Sequence, residues 1–462
     1  MSHPNFQSLQ KELKRGELYM DAATLEAYSG DKWFAVAQPE AVAFPRSTES
    51  VSKILKWANK HQIPATARGA GHGYVGGCVP VRRGIVISLE KMNRIREIHE
   101  TDFVAVVQAG VITADLQSKA EEKRLCYPPD PASRAHCSIG GNIATNAGGP
   151  RCLKYGVTRD YLLGAEVVLA DGTVVHTGGR THKNKTGFDL HRLFVGSEGL
   201  LGIVTEATLK LIPLPPYRAA LSIGVESTAM AARILGKVFQ AGFLPSALEI
   251  ADHFTLQAAM KRTGSYMFEG CEAHLIIELD GQESSVRSEL RTLTQLIQEE
   301  NPNFIKKGLG NEGCEQIWQI RREFSYALRD TGLTKLNEDI VVPRSRLEEL
   351  FKFAERLQRK FGIPVACFGH AGDGNIHVNV MIDQSDPQQE EQGRKVLDAL
   401  FAQVLKWKGA ITGEHGVGLA KMPWLDLALS PENLKLHQTL KAALDPNGIL
   451  NPGKFVPEPG GR

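Results

Sequence analysis

The chain has 462 residues, more than one ordinary hydrophobic core organises and enough for two or three domains. Hydrophobic residues make up 42% and charged residues 23%, and the net charge is +2 with both signs mixed along the chain. That balance fits a globular protein and, with no basic stripe interleaved with aromatics, excludes nucleic acid from the expected partners.

Taken from the N-terminus, MSHPNFQSLQKELKRG is polar and lacks the apolar core of a signal peptide. No apolar run approaches the ~18–20 residues that span a bilayer, so a cytoplasmic protein that does not cross a membrane is expected. Ser47 and Thr48 read as a helix cap, and Val51, Ile54, Leu55 and Ala58 follow at the spacing of one amphipathic face. Residues 63–67 read as a strand entering the glycine-rich RGAGHGYVGG, and 84–89 and 103–108 as two more. A helix fits 114–124. The Asp171-Gly172 turn between apolar runs predicts a hairpin, and 203–212 a further strand. Pro213, Pro215 and Pro216 then punctuate the chain. Beyond them strand-like segments (219–225, 275–279, a run ending at 342, and two around residue 372) alternate with helical ones (228–239, 285–298, 347–361 and a stripe from Val396 to Leu405). This alternation predicts a second unit built on one sheet covered by helices. Seven scattered cysteines without a C-x-x-C argue against disulfides, a zinc knuckle or an iron–sulfur cluster.

Gly69, Gly71 and Gly73 suggest a dinucleotide-binding loop, with Glu90 about 20 residues on. The following YVGGCVPVRRG, with its glycines and proline, cannot form the helix that a βαβ crossover needs. A bare backbone nest, whose N–H groups point at a diphosphate, is the alternative. YPPDPAS (127–133) and CSIGGNIATNAGG (137–149) add small residues against which a flat ring can lie, or simply a tight loop.

Together RGAGHG, PPDPAS, SIGGNIATNAGG, KYGVTRD and GSEGLLGIVTEATLKL resemble the FAD-binding domain of the vanillyl-alcohol oxidase / p-cresol methylhydroxylase superfamily. Within it the chain resembles the D-2-hydroxyacid dehydrogenase branch, which holds D-lactate and D-2-hydroxyglutarate dehydrogenases and the flavin subunit of glycolate oxidase. The likeness runs from about residue 45 to 454. It implies an α+β fold: a p-cresol methylhydroxylase-type FAD-binding domain (38–216) after an N-terminal segment (1–37), an α/β, ferredoxin-like cap that carries substrate (217–410), and a C-terminal segment (411–462) returning to the flavin. It also implies FAD held by Arg68, Gly69, Ala70, Gly71, His72 and Gly73, and by Ser138, Gly140, Gly141 and Asn142. Pro129, Ser133, Thr145 and Gly148 would line the rest of its path, Gly199, Gly202, Ile203 and Val204 the adenine end, and Asn451 the flavin ring. His72 departs from the small hydroxyl residue usual in this branch. A histidine there is bonded to the flavin in other branches, so a covalent link stands beside the simpler reading of a non-covalent imidazole, which is preferred.

The stretch CFGHAGDGNIHVNV sets His370 and His377 on opposite sides of a Gly-Asp-Gly-Asn turn, where two strands could bring both rings to one point. Neutral imidazoles suit zinc, and Glu414 of GEHGVG would complete a three-ligand site with open positions. Polar surface histidines are the alternative from spacing alone. In the related dehydrogenases these motifs supply metal ligands and a base. By resemblance His370, His377 and Glu414 hold a divalent metal, His415 is the catalytic base and Asn379 touches substrate. Arg321 and Ser325, four apart on a helix face, and Lys335 would line the acid-binding pocket.

The expected reaction is oxidation of a D-2-hydroxy acid to the 2-oxo acid. The electrons would go to an external acceptor: a cytochrome, an electron-transfer flavoprotein, a quinone or an iron–sulfur subunit, with oxygen open beside them. Two rivals remain at this point, a non-redox FAD enzyme like alkyl-glycerone-phosphate synthase and a flavin subunit that works only with a partner.

Overall fold

A computed structural model describes residues 6–456. The described parts of Met1–Gly148, Val157–Leu214 and Glu414–Arg462 form one compact unit, and Gly149–Gly156 with Pro215–Gly413 form another.

In the first unit, β1 (Leu18–Tyr19), β2 (Ala41–Ala43), β3 (Ala65–Arg68) and β4 (Ile85–Ser88) make a sheet in the order β1-β2-β4-β3, with β4 parallel to β2 and β3. The helix expected after Ser47 is Thr48–His61. Ser47 accepts the Ser50 N–H, and Gln62 ends the helix in the left-handed conformation. Its stripe of Val51, Ile54, Leu55 and Ala58 is fully buried with Ala43, Ile85 and Ile87. Each such Ile or Leu contributes ~1.5–3 kcal/mol. A second sheet, antiparallel throughout, joins β5 (Ile95–His99), β6 (Val104–Gln108), β8 (Leu162–Val168), β9 (Val174–Gly178) and β10 (Ile203–Lys210) in the order β5-β6-β10-β8-β9. β7 (Leu125–Cys126), between β6 and β8 in the chain, pairs with β11 (Ile212–Pro213), which follows β10. The β8–β9 hairpin turns at Asp171-Gly172, with Asp171 accepting the Thr173 N–H at 2.8 Å and Gly172 at φ +81°.

Residues 69–84 carry no helix, in line with the exclusion of a βαβ loop. The SIGGNIATN segment differs from a simple loop: Ile139–Thr145 is a short helix capped by Ser138, whose Oγ accepts the Gly141 N–H. Its glycines have poor helix propensity, but Gly140 is needed because a Cβ there would lie 2.7 Å from that of Ala109. At the far end of the chain Leu450 bridges Ala65 in parallel, and the Asn451 N–H donates to the Ala65 carbonyl at 2.9 Å.

The second unit is one sheet of β12 (Tyr217–Val225), β13 (Ala247–Asp252), β14 (Ala273–Gly281), β15 (Phe304–Leu309), β16 (Thr334–Val341), β17 (Val365–His370) and β18 (Asn375–Ile382). The order is β15-β12-β14-β13-β17-β18-β16 and every pairing is antiparallel. The expected helices are Thr228–Gln240, Glu283–Gln298, Leu347–Phe361 and Pro387–Lys406. Helix Gly310–Arg329 lays Phe324, Ala327 and Leu328 on Ala251, Ala366, Phe368 and Met381. By strand alternation that face also carries Glu249, His370, His377 and Asn379. Among the described residues no helix is long and apolar enough to cross a membrane.

Candidate active site

In the first unit, β3 delivers the RGAGHG loop. The Arg68 guanidinium turns inward: Nη1 donates to the Gly30 carbonyl (2.6 Å) and to Cys78 Sγ (3.3 Å), and Cζ lies 5.1 Å from the Tyr28 ring centroid. The loop glycines fall into two kinds. A Cβ on Gly69 would lie 2.6 Å from Ser138 Oγ, one on Gly202 would lie 2.7 Å from Val167, and one on Gly71 would strike the Arg68 guanidinium at a φ of +68°. Close packing explains these three. Gly73 and Gly77 have no positive φ, and an added Cβ would meet nothing closer than Asp31 Oδ2 at 3.5 Å and Glu198 Oε2 at 3.6 Å. The protein's own packing does not demand glycine there, whereas a flat ligand lying against backbone does.

Asn451 supplies a second mark of a ligand. Its amide donates to the carbonyls of Gly77 (2.9 Å) and Glu198 (2.8 Å), while its Oδ1 is buried and has no hydrogen-bond partner among the described residues. A buried carbonyl left so costs ~1–3 kcal/mol, and an N–H from a bound ring would satisfy it. These features fit FAD. Other expected contacts have internal duties. Asn142 Nδ2 donates to Thr113 Oγ1 (2.7 Å), Thr145 Oγ1 donates to the Gly141 carbonyl (3.2 Å), and the Pro129 carbonyl accepts from Gln117 (2.9 Å). The Ser133 carbonyl accepts the His136 and Cys137 N–H groups. Gly148 is buried, Gly199 sits at φ +74°, and Ile203 and Val204 open β10 opposite Val168 and Val167. His72 Nδ1 lies 3.3 Å from the Ala70 carbonyl and its ring stacks on His136 at 5.1 Å. Burial holds the His72 imidazole below its usual pKa.

Glu198, in the GSEG turn, is a residue that sequence reasoning passed over. Its carboxylate accepts the N–H groups of Val417 (2.7 Å) and Gly418 (2.9 Å) and so anchors GEHGVG within this unit. Burial raises its pKa to about 7, against the pull of those two N–H groups. Gly416 is bare because a Cβ would lie 2.7 Å from Glu198 Oε1. His415 lies beside Tyr74, with ring centroids 5.3 Å apart. An acid between glycines in an otherwise apolar run was the available signal.

In the second unit, β17 and β18 meet at the Gly-Asp-Gly-Asn turn. Gly374 sits at φ +87°, where an added Cβ would strike the Val342 carbonyl, and a Cβ on Gly372 would lie 2.6 Å from Leu153. The register sets Phe368 opposite His377 and His370 opposite Asn375, so both imidazoles share one face, with ring centroids 5.6 Å apart. Asp339, opposite His377 on β16, accepts the Gly413 N–H at 2.7 Å and the Thr412 hydroxyl at 3.1 Å. It thereby fixes the backbone that leads directly into Glu414. One ligand atom from each of His370, His377 and Glu414 lies within 4.8 Å of the others. Two imidazoles and a carboxylate are a donor set suited to zinc with positions left open.

Glu249 on β13, absent from the sequence reading, links this cluster to the arginine. His370 Nδ1 is 2.5 Å from Glu249 Oε1, and Arg321 Nε is 2.5 Å from Oε2. Burial alone would raise the Glu249 carboxyl, but the His370 imidazole and the Arg321 guanidinium bring it down to about 2. Arg321 Cζ stacks 4.7 Å from the Phe368 ring centroid. Lys335 Nζ donates to Ser325 Oγ at 3.1 Å and, among the described residues, has no carboxylate partner. Burial, then the charges of Arg329 and Arg321, lower Lys335 to about 8. Asn379 Nδ2 donates to the Ala366 and His377 carbonyls, both at 3.2 Å. Its Oδ1, and that of Asn337 opposite it, are buried without a hydrogen-bond partner among the described residues. The expected acid-binding residues thus gather on one face, with cations and spare acceptors together.

Residues 214–455 match the C-terminal domain of FAD linked oxidases, and residues 39–178 match an FAD binding domain. The chain is 39% identical over 419 residues to glycolate oxidase subunit GlcD of Bacillus subtilis (strain 168), covering 91% of this chain and 89% of that one. It is 36% identical to a D-lactate dehydrogenase of Anaerostipes hadrus (91% and 90% covered) and 34% identical to D-2-hydroxyglutarate dehydrogenase of Stutzerimonas stutzeri (strain A1501), with 97% of each chain covered. Among solved structures, p-cresol methylhydroxylase with substrate bound superposes with a TM-score of 0.80 at 20% identity, over 97% of this chain and 96% of that one. An alkyldihydroxyacetonephosphate synthase gives 0.77 at 20% identity, over 98% and 86%. The chain therefore belongs to the FAD-linked oxidases of the p-cresol methylhydroxylase fold, in the branch of the 2-hydroxyacid dehydrogenases. It is an FAD-linked oxidoreductase.

Proposed function

We propose that the chain oxidises a D-2-hydroxy acid of the glycolate, D-lactate or D-2-hydroxyglutarate kind to its 2-oxo acid, with FAD and a divalent metal. The observation that carries this reading is the convergence of His370, His377 and Glu414 next to a face bearing Arg321, Ser325 and Lys335. An α-hydroxy acid presents a carboxylate and a hydroxyl, and these residues offer both a metal site and cations for it.

When bound, FAD supplies the two-electron acceptor, and the metal, zinc by its donor set, supplies a Lewis acid that makes the α-hydroxyl more acidic. The chain does the rest. Arg321 and Lys335 bind the carboxylate, and Ser325 keeps the Lys335 ammonium aimed. Asn379 Oδ1 orients the substrate by accepting a hydrogen bond, and His415 takes the hydroxyl proton at its imidazole. Residues 68–77 hold the diphosphate through backbone N–H groups beside the 138–142 segment, whose N–H groups from Ile139 to Asn142 are taken up within the protein, and Asn451 Oδ1 receives the ring. We assign the electrons to a separate acceptor, because the seven scattered cysteines hold no cluster motif. Free cysteines throughout suit a reducing compartment such as the cytoplasm.

Anaerobic mixing of the purified yellow protein with D- and L-2-hydroxy acids tests the reading. A D-acid should bleach the flavin and its L-enantiomer should not. If no acid bleaches it, the non-redox alternative gains, since the same fold serves the synthase named above. Metal analysis should find the cation in the wild type and not in His377→Ala.

A further inference from the structure

We propose that Glu249 is a positioning residue that joins the metal site to the substrate's carboxylate grip: one of its oxygens sets the His370 ring, the other sets the Arg321 guanidinium. The inference rests on the metal reading above and deepens it. A carboxylate only accepts hydrogen bonds, so the short contact from His370 Nδ1 to Oε1 makes Nδ1 the donor and leaves the Nε2 lone pair for a cation. Arg321 Nε occupies the second oxygen at the same 2.5 Å. Glu249 is 1% exposed, and a buried charge persists only when it is paired.

The fold fixes the pairing. Ile250 sits opposite Gly369 and Ala251 opposite Phe368, so one step further along the register Glu249 faces His370. The Phe368 ring supports Arg321 from below. A carboxylate partner of this kind orients a ligand histidine and raises its basicity, and removing one typically costs 10–100-fold in metal affinity. Here the same group also holds the arginine, so one substitution that touches neither metal nor substrate should weaken both.

Glu249→Gln separates the two duties. A glutamine has one acceptor and one NH2. It can serve Arg321 while donating to His370 Nδ1, which turns the ring to the wrong tautomer, or serve His370 while its NH2 opposes the Arg321 N–H. The zinc dissociation constant, read by chelator competition on the full chain, should rise 10–100-fold. KM for the acid should rise about tenfold or more with a smaller change in kcat, and Glu249→Asp, which keeps both acceptors, should recover part of each. An unchanged flavin spectrum and melting point show that the variant is folded.

Equal zinc affinity in the wild type and a folded Glu249→Gln overturns the inference and leaves the metal reading intact. A wild type that binds zinc no better than His377→Ala overturns both. Should Glu249→Gln misfold, nitrogen NMR of zinc-free wild type labelled with 15N-histidine decides. His370, assigned by its loss in His370→Ala, should carry its proton on Nδ1; a proton on Nε2 instead refutes the role.

Discussion

Replacing Lys335 with methionine should make the protein more stable and a poorer enzyme. The ordinary lysine pKa of 10.5 falls to about 8 here, chiefly by burial. A lowered folded pKa means that the fold disfavours the charged form. The penalty is absent above pH 10.5 and complete once the pH has fallen below about 8. At pH 7 it amounts to about 3 kcal/mol. Methionine removes the charge at similar length but takes from Ser325 its hydrogen-bond donor, worth ~1 kcal/mol. The net gain should be about 2 kcal/mol, a rise of roughly 4–8 °C in the melting point of a domain this size. Substrate binding should move the other way. A charge-assisted hydrogen bond contributes ~1.5–3 kcal/mol, so KM for the acid should rise about 10–150-fold. In the wild type, KM should also climb as the pH passes about 8 and Lys335 loses its proton, and the variant should lack that climb. Differential scanning calorimetry and steady-state kinetics between pH 6.5 and 9 supply both readings. A variant that melts lower, or that keeps its KM, would show that Lys335 is not an unpaired cation kept for an anion.

Gly73→Ala meets nothing closer than 3.5 Å in the protein, so the apoprotein should melt within about 1 °C of the wild type while FAD affinity falls tenfold or more. Flavin titration of the apoprotein checks this, and unchanged affinity would remove Gly73 from the cofactor site. Glu198, raised from 4.5 to about 7, adds stability that is complete below pH 4.5 and lost as the pH rises through about 7. From pH 6 to 8.5 the wild type should therefore lose about 1.4 kcal/mol through this group, and Glu198→Gln should not; parallel slopes in urea denaturation would count against it. Acid precipitation should leave the yellow colour in the supernatant, as a non-covalent His72 requires. Colour in the pellet would reverse that preference.

The amphipathic helix Thr48–His61, the hairpin at Asp171-Gly172 and the tight turn between His370 and His377 were legible because each depends on a local pattern: a 3.6-residue stripe, a turn dipeptide, a glycine pair. Glu249 was not. ALEIAD fits a short strand or a helix equally well by periodicity. The role of its carboxylate depends on Arg321 and His370, which lie 72 and 121 residues away. Ile139–Thr145 was hidden for another reason. Its glycines argue against a helix, and the neighbour that requires one of them, Ala109, belongs to a distant segment. By sequence Arg68 belongs to the cofactor loop, but the direction of its side chain is set by Gly30, Cys78 and Tyr28. No spacing rule reports that.

The Ala65–Leu450 bridge and the Asn451 amide carry a consequence for how the polypeptide is made. On the ribosome, β3 and the glycine loop emerge early, yet the strand-edge partner and the amide that ties Gly77 to Glu198 emerge only after the entire second unit. Such long-range closure folds slowly and leaves an unfinished nascent intermediate exposed for most of translation. A message truncated just before residue 449 should therefore yield polypeptide that cannot take up its prosthetic group, even though nearly every residue around the cradle has already been translated.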